Sequence, residues 1–464
     1  MTNFQKVSGS YSSLQSQLKM ARDALIAQQT AMNTVSHNVA NVNTPGYHRQ
    51  RVMFETRASV GSGMDVQSIQ RAYHTFLTRQ ERTDAGEAGR WQMQSDLLAR
   101  VEAMMNELGD SGVTTSLDEF FNAWQDLAND VDSTTSRVNL IGKARDLVFA
   151  LHNTYARLDD IRTEVNAHMM SSVGKINDLA TQVAQLNEQI YTVVSRRQQP
   201  NDLMDRRDQL IKELASVANI TIQEENNGSV TVFLGNEALV SMNTARMVEW
   251  SVDRSGSLGK SGGDIVWADN GNTLQLKSGE LYGDVTTREL IGNTLTRLDT
   301  FADALRDEVN ALHTQGIARD GSTGNRFFDV NGGGALMLEL SADLLANPQK
   351  VAASRYYATG DAGLAHEIFN LQFAGVLNNG QTSLTDFYQG IVTDIGIEAG
   401  RARTFAEASK ASLQQAENWQ QSYTGVNLDE EMADMITIQY AFTAASKVAN
   451  LIDEMMSLIS KGFA

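Results

Sequence analysis

Apolar residues recur at alternating steps of four and three at both ends of this chain, and that spacing constrains its architecture more than any other feature. Near the N-terminus the series is Leu14, Leu18, Ala21, Leu25, Met32, Val35 and Val39, with polar Gln28 filling one step. At the other end Leu428, Met432, Met435, Ile438, Phe442, Ala445, Val448, Ile452, Met455 and Ile459 repeat the pattern with no Gly or Pro between them. Heptad spacing gives a helix one narrow apolar seam, which needs a second helix to cover it. At a rise of ~1.5 Å per residue, Leu14 to Val39 makes a rod about 39 Å long. Asn427 is placed to cap the second helix, with Glu430 three positions on as in a capping box. Asp429, Glu430 and Glu431 suit the positive end of its dipole.

Residues 1–50 carry a net +3 and residues 425–464 a net −4. We therefore expect the two ends to run side by side, each burying the other's seam, with charge choosing partner and register more than adding stability. The plainer alternative is two unrelated amphipathic helices on one core. The whole chain carries −18, which disfavours nucleic acid and anionic membrane as partners. It has no cysteine, which excludes disulfides, thiolate metal sites and cysteine nucleophiles. The first twenty residues lack the apolar stretch of a cleaved signal, and no run approaches the ~18 apolar residues of a membrane span. This implies a cytosolic protein or one exported by a route that cleaves no signal.

Length sets a range of two to four domains for 464 residues. Proline occurs only at Pro45, Pro200 and Pro348, so little interrupts long helices. Helical periodicity covers 94–131, broken by GDSGVTT, and then 137–199, with Pro200 ending that helix and Asn201 capping a shorter one through Val217. At Ile220 the pattern changes to alternation around Asn227-Gly228, a strong hairpin signal. A β-rich stretch follows through the Gly-rich GSLGKSGGD and IVWADNGNTLQL to about Gly283. Helical patterns return over 289–313 and 384–423. The predicted fold is mainly α with an inserted β-domain. Its division is 1–55 with 425–464 as a terminal coiled-coil unit, 56–219 with 284–424 as a helical body, and 220–283 as a β-rich outer domain projecting from the shaft.

The string SHNVANVNTPGYHRQ, Ser36 to Gln50, closes the N-terminal heptads. Asn38 and Asn41 can bond main chain, Thr44-Pro45-Gly46 turns the chain, and Tyr47, Arg49 and Gln50 start an extended segment; read alone, it is a helix stop. It also resembles the N-terminal signature N-(I/V)-A-N-x-x-T-x-G-Y-x-R-Q of the flagellar rod, hook and hook-associated axial family. Asn38, Val39, Ala40, Asn41, Thr44, Gly46, Tyr47, Arg49 and Gln50 fill its positions. The C-terminal string is similar to the other half of that pattern, with Gly425, Val426, Asn427, Leu428, Asp429, Glu430, Glu431 and Met432 matching, then Ile452, Asp453, Glu454 and Met455. PNDLMDRRDQLIKEL, Pro200 to Leu214, resembles a segment of the hook-associated protein 1 branch. Departures are the extra residues before the first heptad, Ala441-Phe442-Thr443 for a more usual Ala-Tyr-Gln, and a compact middle.

The resemblance implies a structural subunit at the junction of hook and filament in the extracellular flagellum, exported unfolded through a type III apparatus without cleavage. It implies a ring of copies of the chain itself, contacts with hook protein and with a second junction protein (hook-associated protein 3), and an export chaperone over the C-terminal helix. A distal rod or hook protein is the alternative within the family, and a secreted hydrolase with a coiled-coil handle the alternative outside it. No catalytic, cofactor or metal residues are expected. His366-Glu367 opens like a zinc-protease helix, but Asn370 stands where the second histidine must be. GDSGV lacks the strand context of a nucleophile loop, and GSTG and NGGG lack the Lys-Ser/Thr of a phosphate loop.

Overall fold

The computed structural model describes residues 2–56, 64–105, 112–251, 263–356 and 360–461. The fold is mainly α, 67% helical, with long terminal helices and a small central β region. Helix α1 (Thr2–Ala40) leads into the antiparallel hairpin of β1 (Gln50–Thr56) and β2 (Met64–Arg71). Then come α2 (Thr75–Met105), α3 (Val113–Asn129), α4 (Thr134–Ser195) and α5 (Asn201–Val217). Six strands follow: β3 (Ile220–Glu224), β4 (Val230–Leu234), β5 (Glu237–Ser241), β6 (Thr244–Ala245), β7 (Val248–Ser251) and β8 (Asp264–Trp267). After α6 (Glu280–His313) the chain makes an irregular excursion through β9 (Ile317–Ala318), α7 (Ala342–Ala346), β10 (Ala352–Ser354) and α8 (Gly363–Asn370). It returns along α9 (Leu384–Thr424) and ends on α10 (Leu428–Lys461).

The body is organised by α4, whose 62 residues make a rod about 93 Å long. Leu140, Ala144, Leu147, Leu151, Leu158, Val165, Met169, Ile176, Val183 and Ile190 form one buried stripe along it. Where α3 crosses, Trp124, Phe120 and Phe121 meet Phe327 and Phe328 in an aromatic core without solvent contact. Ser133 caps α4 by accepting from the Ser136 amide at 3.1 Å. The helix ends at Ser195, before Pro200, because Arg197 takes a φ of +60° and breaks the helical path. Asn201 is not a cap either: Pro200 occupies that position, and the Asn201 amide reaches Ile69 O at 2.8 Å.

The β3–β4 hairpin turns at Asn227-Gly228, where Gly228 has φ +84° and Asn227 Oδ1 accepts the Ser229 amide at 3.0 Å. The sheet order is β3-β4-β5-β6, with β7-β8 a separate antiparallel pair. Rather than standing off the shaft, these strands share the helical core: Val232, Leu234, Val240, Val248, Ile265 and Trp267 belong to the same buried cluster as α4. Two asparagines of α4 fasten them. Asn187 exchanges bonds with Val230 N and O at 3.1 and 2.8 Å, and Asn177 does so with Val248 at 2.9 and 2.8 Å. Two helices begin earlier than their periodicity suggests, α2 at Thr75 and α6 at Glu280, because their N-terminal stretches bury small or polar residues such as Ala85, Gly86, Gly283 and Asp284. His366 and Glu367 lie on the exposed side of α8, with Glu367 paired to Arg355 at 2.9 Å. Most of GDSGV and of the Gly-rich GSLGKSGGD stretch lies outside the described residues.

Candidate assembly interface at the chain ends

Helices α1 and α10 pack on one another in antiparallel fashion, with Asn38 near the end of α1 beside Glu431 in the first turn of α10. Along α10 the covered positions are Glu431, Met435, Ile438, Phe442, Ala445, Ala449, Ile452, Met456 and Ile459, an unbroken heptad series of buried and half-buried residues. This inner seam is displaced from the expected one. Leu428, Met432, Val448 and Met455 are 45, 59, 51 and 43% exposed; Leu428 stands at the open end of the inner line, and the other three lie off it with Ile436, Tyr440, Leu451 and Leu458 on an outer stripe. The buried line of α1 is displaced too: Ala21, Ala27, Ala31, Thr34, Val35 and Asn38 are covered, while Leu14, Leu18, Leu25, Met32 and Val39 are half-buried on its flanks. Small and polar residues on this line let the two backbones approach, and the largest apolar side chains are pushed to the margins. A pattern built on the bulkiest hydrophobes follows both faces at once.

The motif residues converge where the pair meets the body. Asn38 is 1% exposed, donates from Nδ2 to Gln50 O and to Glu431 Oε2, both at 2.9 Å, and accepts at Oδ1 from Gln50 N (2.9 Å) and the Tyr47 hydroxyl (2.8 Å). One asparagine thus ties α1, β1 and α10 together, using its acceptor and donor ends at once. Arg49 donates to Glu430 at 2.6 Å and Asp434 at 3.1 Å, and its Nε pairs with Glu431, which is 1% exposed. Burial opposes the Arg49 charge, but Glu431 and Glu430 outweigh it and hold the guanidinium above its ordinary pKa. The Arg49 amide donates to Thr424 O at 2.8 Å, joining this turn to the end of α9.

Each remaining motif position has a place. Asn41 donates to His37 O at 2.9 Å and accepts from Thr44 Oγ1 at 3.1 Å, while Ala40 is exposed. Gly46 has φ +76°, and a Cβ there would lie 3.0 Å from Gln209 Oε1. A Cβ on Gly425 would come within 2.3 Å of Gln421 O. Asn427 caps α10, its Oδ1 accepting the Asp429 amide at 3.0 Å and its carbonyl accepting Glu431 N at 3.0 Å. The capping box is not made, because Glu430 turns to Arg49 instead. Leu428 and Asp429 are exposed beside it; Asp453 and Glu454 are exposed farther along and pair with no described residue. Charge complementarity between the helices is thus concentrated at Arg49, for Arg22 pairs with its neighbour Asp23 at 3.5 Å.

A second layer of this junction escaped the sequence reading. His48 Nδ1 lies 2.7 Å from Asp205, Arg71 reaches Asp205 (2.9 Å) and Asp208 (2.7 Å), Arg82 reaches Asp208 (3.1 Å), and Gln50 Nε2 donates to Asp202 at 2.8 Å. Burial pushes the Asp208 carboxyl up, but Arg71, Arg82 and Arg207 pull harder and leave it below its ordinary value. Burial, then Asp202, Asp205 and Glu431, push the Tyr47 phenol up, so it stays a donor. The signal was present: Asp202, Asp205 and Asp208 recur every third residue, which sets three carboxylates on one side of α5.

Three family models match the chain. The one described as "Flagellar hook-associated protein FlgK helical domain" covers residues 98–328, "Flagella basal body rod protein" covers 18–48, and "Flagellar basal body rod FlgEFG protein C-terminal" covers 421–461. The chain belongs to the flagellar hook-associated protein 1 family. It is 28% identical to flagellar hook-associated protein 1 of Bacillus subtilis, over 96% of this chain and 97% of that one. It is 34% identical to the Salmonella typhimurium protein of that name, over 68% of this chain and 60% of its relative. The fold is similar to that of the flagellar hook junction protein FlgK from Burkholderia pseudomallei, with a TM-score of 0.65, 17% identity, and coverage of 74% of this chain and 100% of that one. The two terminal family matches contain Asn38 and Glu431, the residues that touch across the junction. No helix among the described residues is long and apolar enough to cross a membrane, and no group of three or more His, Asp or Glu among them is placed to hold a metal.

Proposed function

We propose that the chain is a structural subunit of the bacterial flagellum that joins hook to filament and acts by packing rather than catalysis. The observation that carries this reading is that one chain matches axial rod proteins at both ends and a hook-associated protein in its helical middle. In this reading α1 and α10 form the wall of the flagellar axis, and the outer stripe of α10 (Met432, Ile436, Tyr440, Val448, Leu451, Met455, Leu458) is covered by neighbouring copies in a ring. Hook protein lies on one side and hook-associated protein 3 on the other. The motif residues Asn38, Tyr47, Arg49, Gln50, Asn427, Glu430 and Glu431 set the angle between the terminal pair and the body. The terminal pair is one unit, shaped by assembly, and the helical body and the β-rich stretch are shaped by the core they share. Export is unfolded, through the type III route without cleavage, with a chaperone over the C-terminal helix; the site of action is the extracellular flagellum.

The test is complementation of a deletion strain, scored by electron microscopy. Complete hooks without filaments in the deletion, restored by the full chain but not by one lacking residues 428–461, support the junction role. Absent hooks would instead indicate a distal rod or hook subunit, and incorporation of the truncated chain would refute the part assigned to α10.

A further inference from the structure

His313, the last residue of α6, is 0% exposed. Both of its ring nitrogens meet main chain: Nδ1 lies 2.7 Å from Asn325 O, and Ala352 N donates to Nε2 at 2.9 Å. A carbonyl can only accept and an amide can only donate, so the ring is neutral with its proton on Nδ1. Trp124 of α3 and Phe327 pack on it with centroids 6.1 and 5.4 Å away. Charged groups on the elements around it include Asp118, Glu119 and Asp126 on α3, Arg137 on α4, Arg306, Asp307 and Glu308 on α6, Arg326 and Lys350 in the adjoining loops, and Glu367 on α8. None of them bonds the ring. Arg137 reaches the neighbouring main chain instead, its Nε donating to Val351 O at 3.3 Å.

We propose that His313 is an acid-released clasp, whose protonation at Nε2 detaches Ala352 and frees the excursion that carries β9 and β10 from the end of α6. A proton on Nε2 would point at the Ala352 N–H, donor against donor, and no carboxylate is at hand to receive it. The bond breaks, and the imidazolium gains solvent only by moving out. Burial lowers the ring from 6.5 to about 4 in the closed state. Between those values the open state binds a proton that the closed state refuses, so closure is complete above the ordinary histidine pKa and weakens as pH falls. Opening grows tenfold per pH unit, about 300-fold across the window.

The test is amide hydrogen exchange, expressed as protection factors, on the full chain from about pH 7.5 to about pH 4. Protection at Ala352 and Ala318 should fall tenfold per unit below about pH 6.5, while buried amides of α4 hold. His313→Gln, whose amide can both donate and accept, should lose the slope. Ring-labelled histidine NMR on the unsubstituted chain decides the matter without any variant: a ring neutral down to about pH 4 supports the clasp. A ring that titrates near its ordinary value, or protection at Ala352 independent of pH, overturns it.

Discussion

Arg49 gives three partners to one guanidinium, and the structure says they are unequal. Glu430 and Asp434 side chains are 60 and 59% exposed, whereas Glu431 is at 1%. Exposed pairs are screened by water and contribute about 0–1 kcal/mol, but a buried carboxylate that loses its cation costs about 3–5 kcal/mol. Arg49→Met should therefore destabilise the docking of α10 by about 3–5 kcal/mol, leaving Glu431 with only the Asn38 amide. Glu430→Gln and Asp434→Asn should each cost under about 1 kcal/mol. Glu431→Gln should restore part of the Arg49→Met loss in the double variant, because the buried charge goes with the cation.

Native-state hydrogen exchange separates these outcomes. In Arg49→Met, protection across 428–461 should fall about 150-fold or more, the equivalent of 3 kcal/mol, while the α4 stripe around Leu151 and Leu158 stays protected. Should α10 protection change less than about threefold, or Asp434→Asn cost as much as Arg49→Met, the claim that Glu431 makes Arg49 decisive is wrong.

Gly46→Ala places a side chain at φ +76° against Gln209 and should cost about 1–2 kcal/mol in urea unfolding. The Asp208 carboxyl is depressed in the folded state, so its contribution is present above the ordinary carboxylate range and is lost as pH falls through the folded value. Asp208→Asn should therefore flatten the acid limb of a stability–pH profile below about pH 4 as well as lower stability at neutral pH. Met432→Glu, on the outer stripe, should leave monomer stability within about 0.5 kcal/mol yet abolish incorporation at the hook tip. Ile452→Glu, one of the two most buried among the described residues of α10, should instead loosen the helix pair in the free subunit, read as lost protection in α10.

The length of α9, the Asn227-Gly228 hairpin and the pairing of the ends were legible because each is a local or periodic signal: an apolar stripe, a turn dipeptide, two seams of opposite charge. What stayed hidden depended on contacts between distant segments. Nothing about Asp205 or Asp208 in isolation says that they receive Arg71 and Arg82 from another hairpin and helix, although their three-residue spacing shows which side of α5 they share. The terminal seams were displaced for a related reason. Hydrophobic size marks where a helix has something to bury but not whether the partner belongs to the same chain. The inner line of α1 is built from Ala27, Ala31, Thr34 and Asn38, which suit a close, polar-locked crossing within one subunit. The bulky outer residues of α10, Met432, Ile436, Tyr440, Leu451 and Leu458, have no such use in a single copy. The helix pair carries two lines, a small-residue line of α1 that faces α10 and a large-residue line of α10 that faces outward, and under the proposed function each is buried by a different partner. Asn38 and Arg49 orient α10 within the subunit, and in the proposed ring a neighbouring subunit covers the outward line.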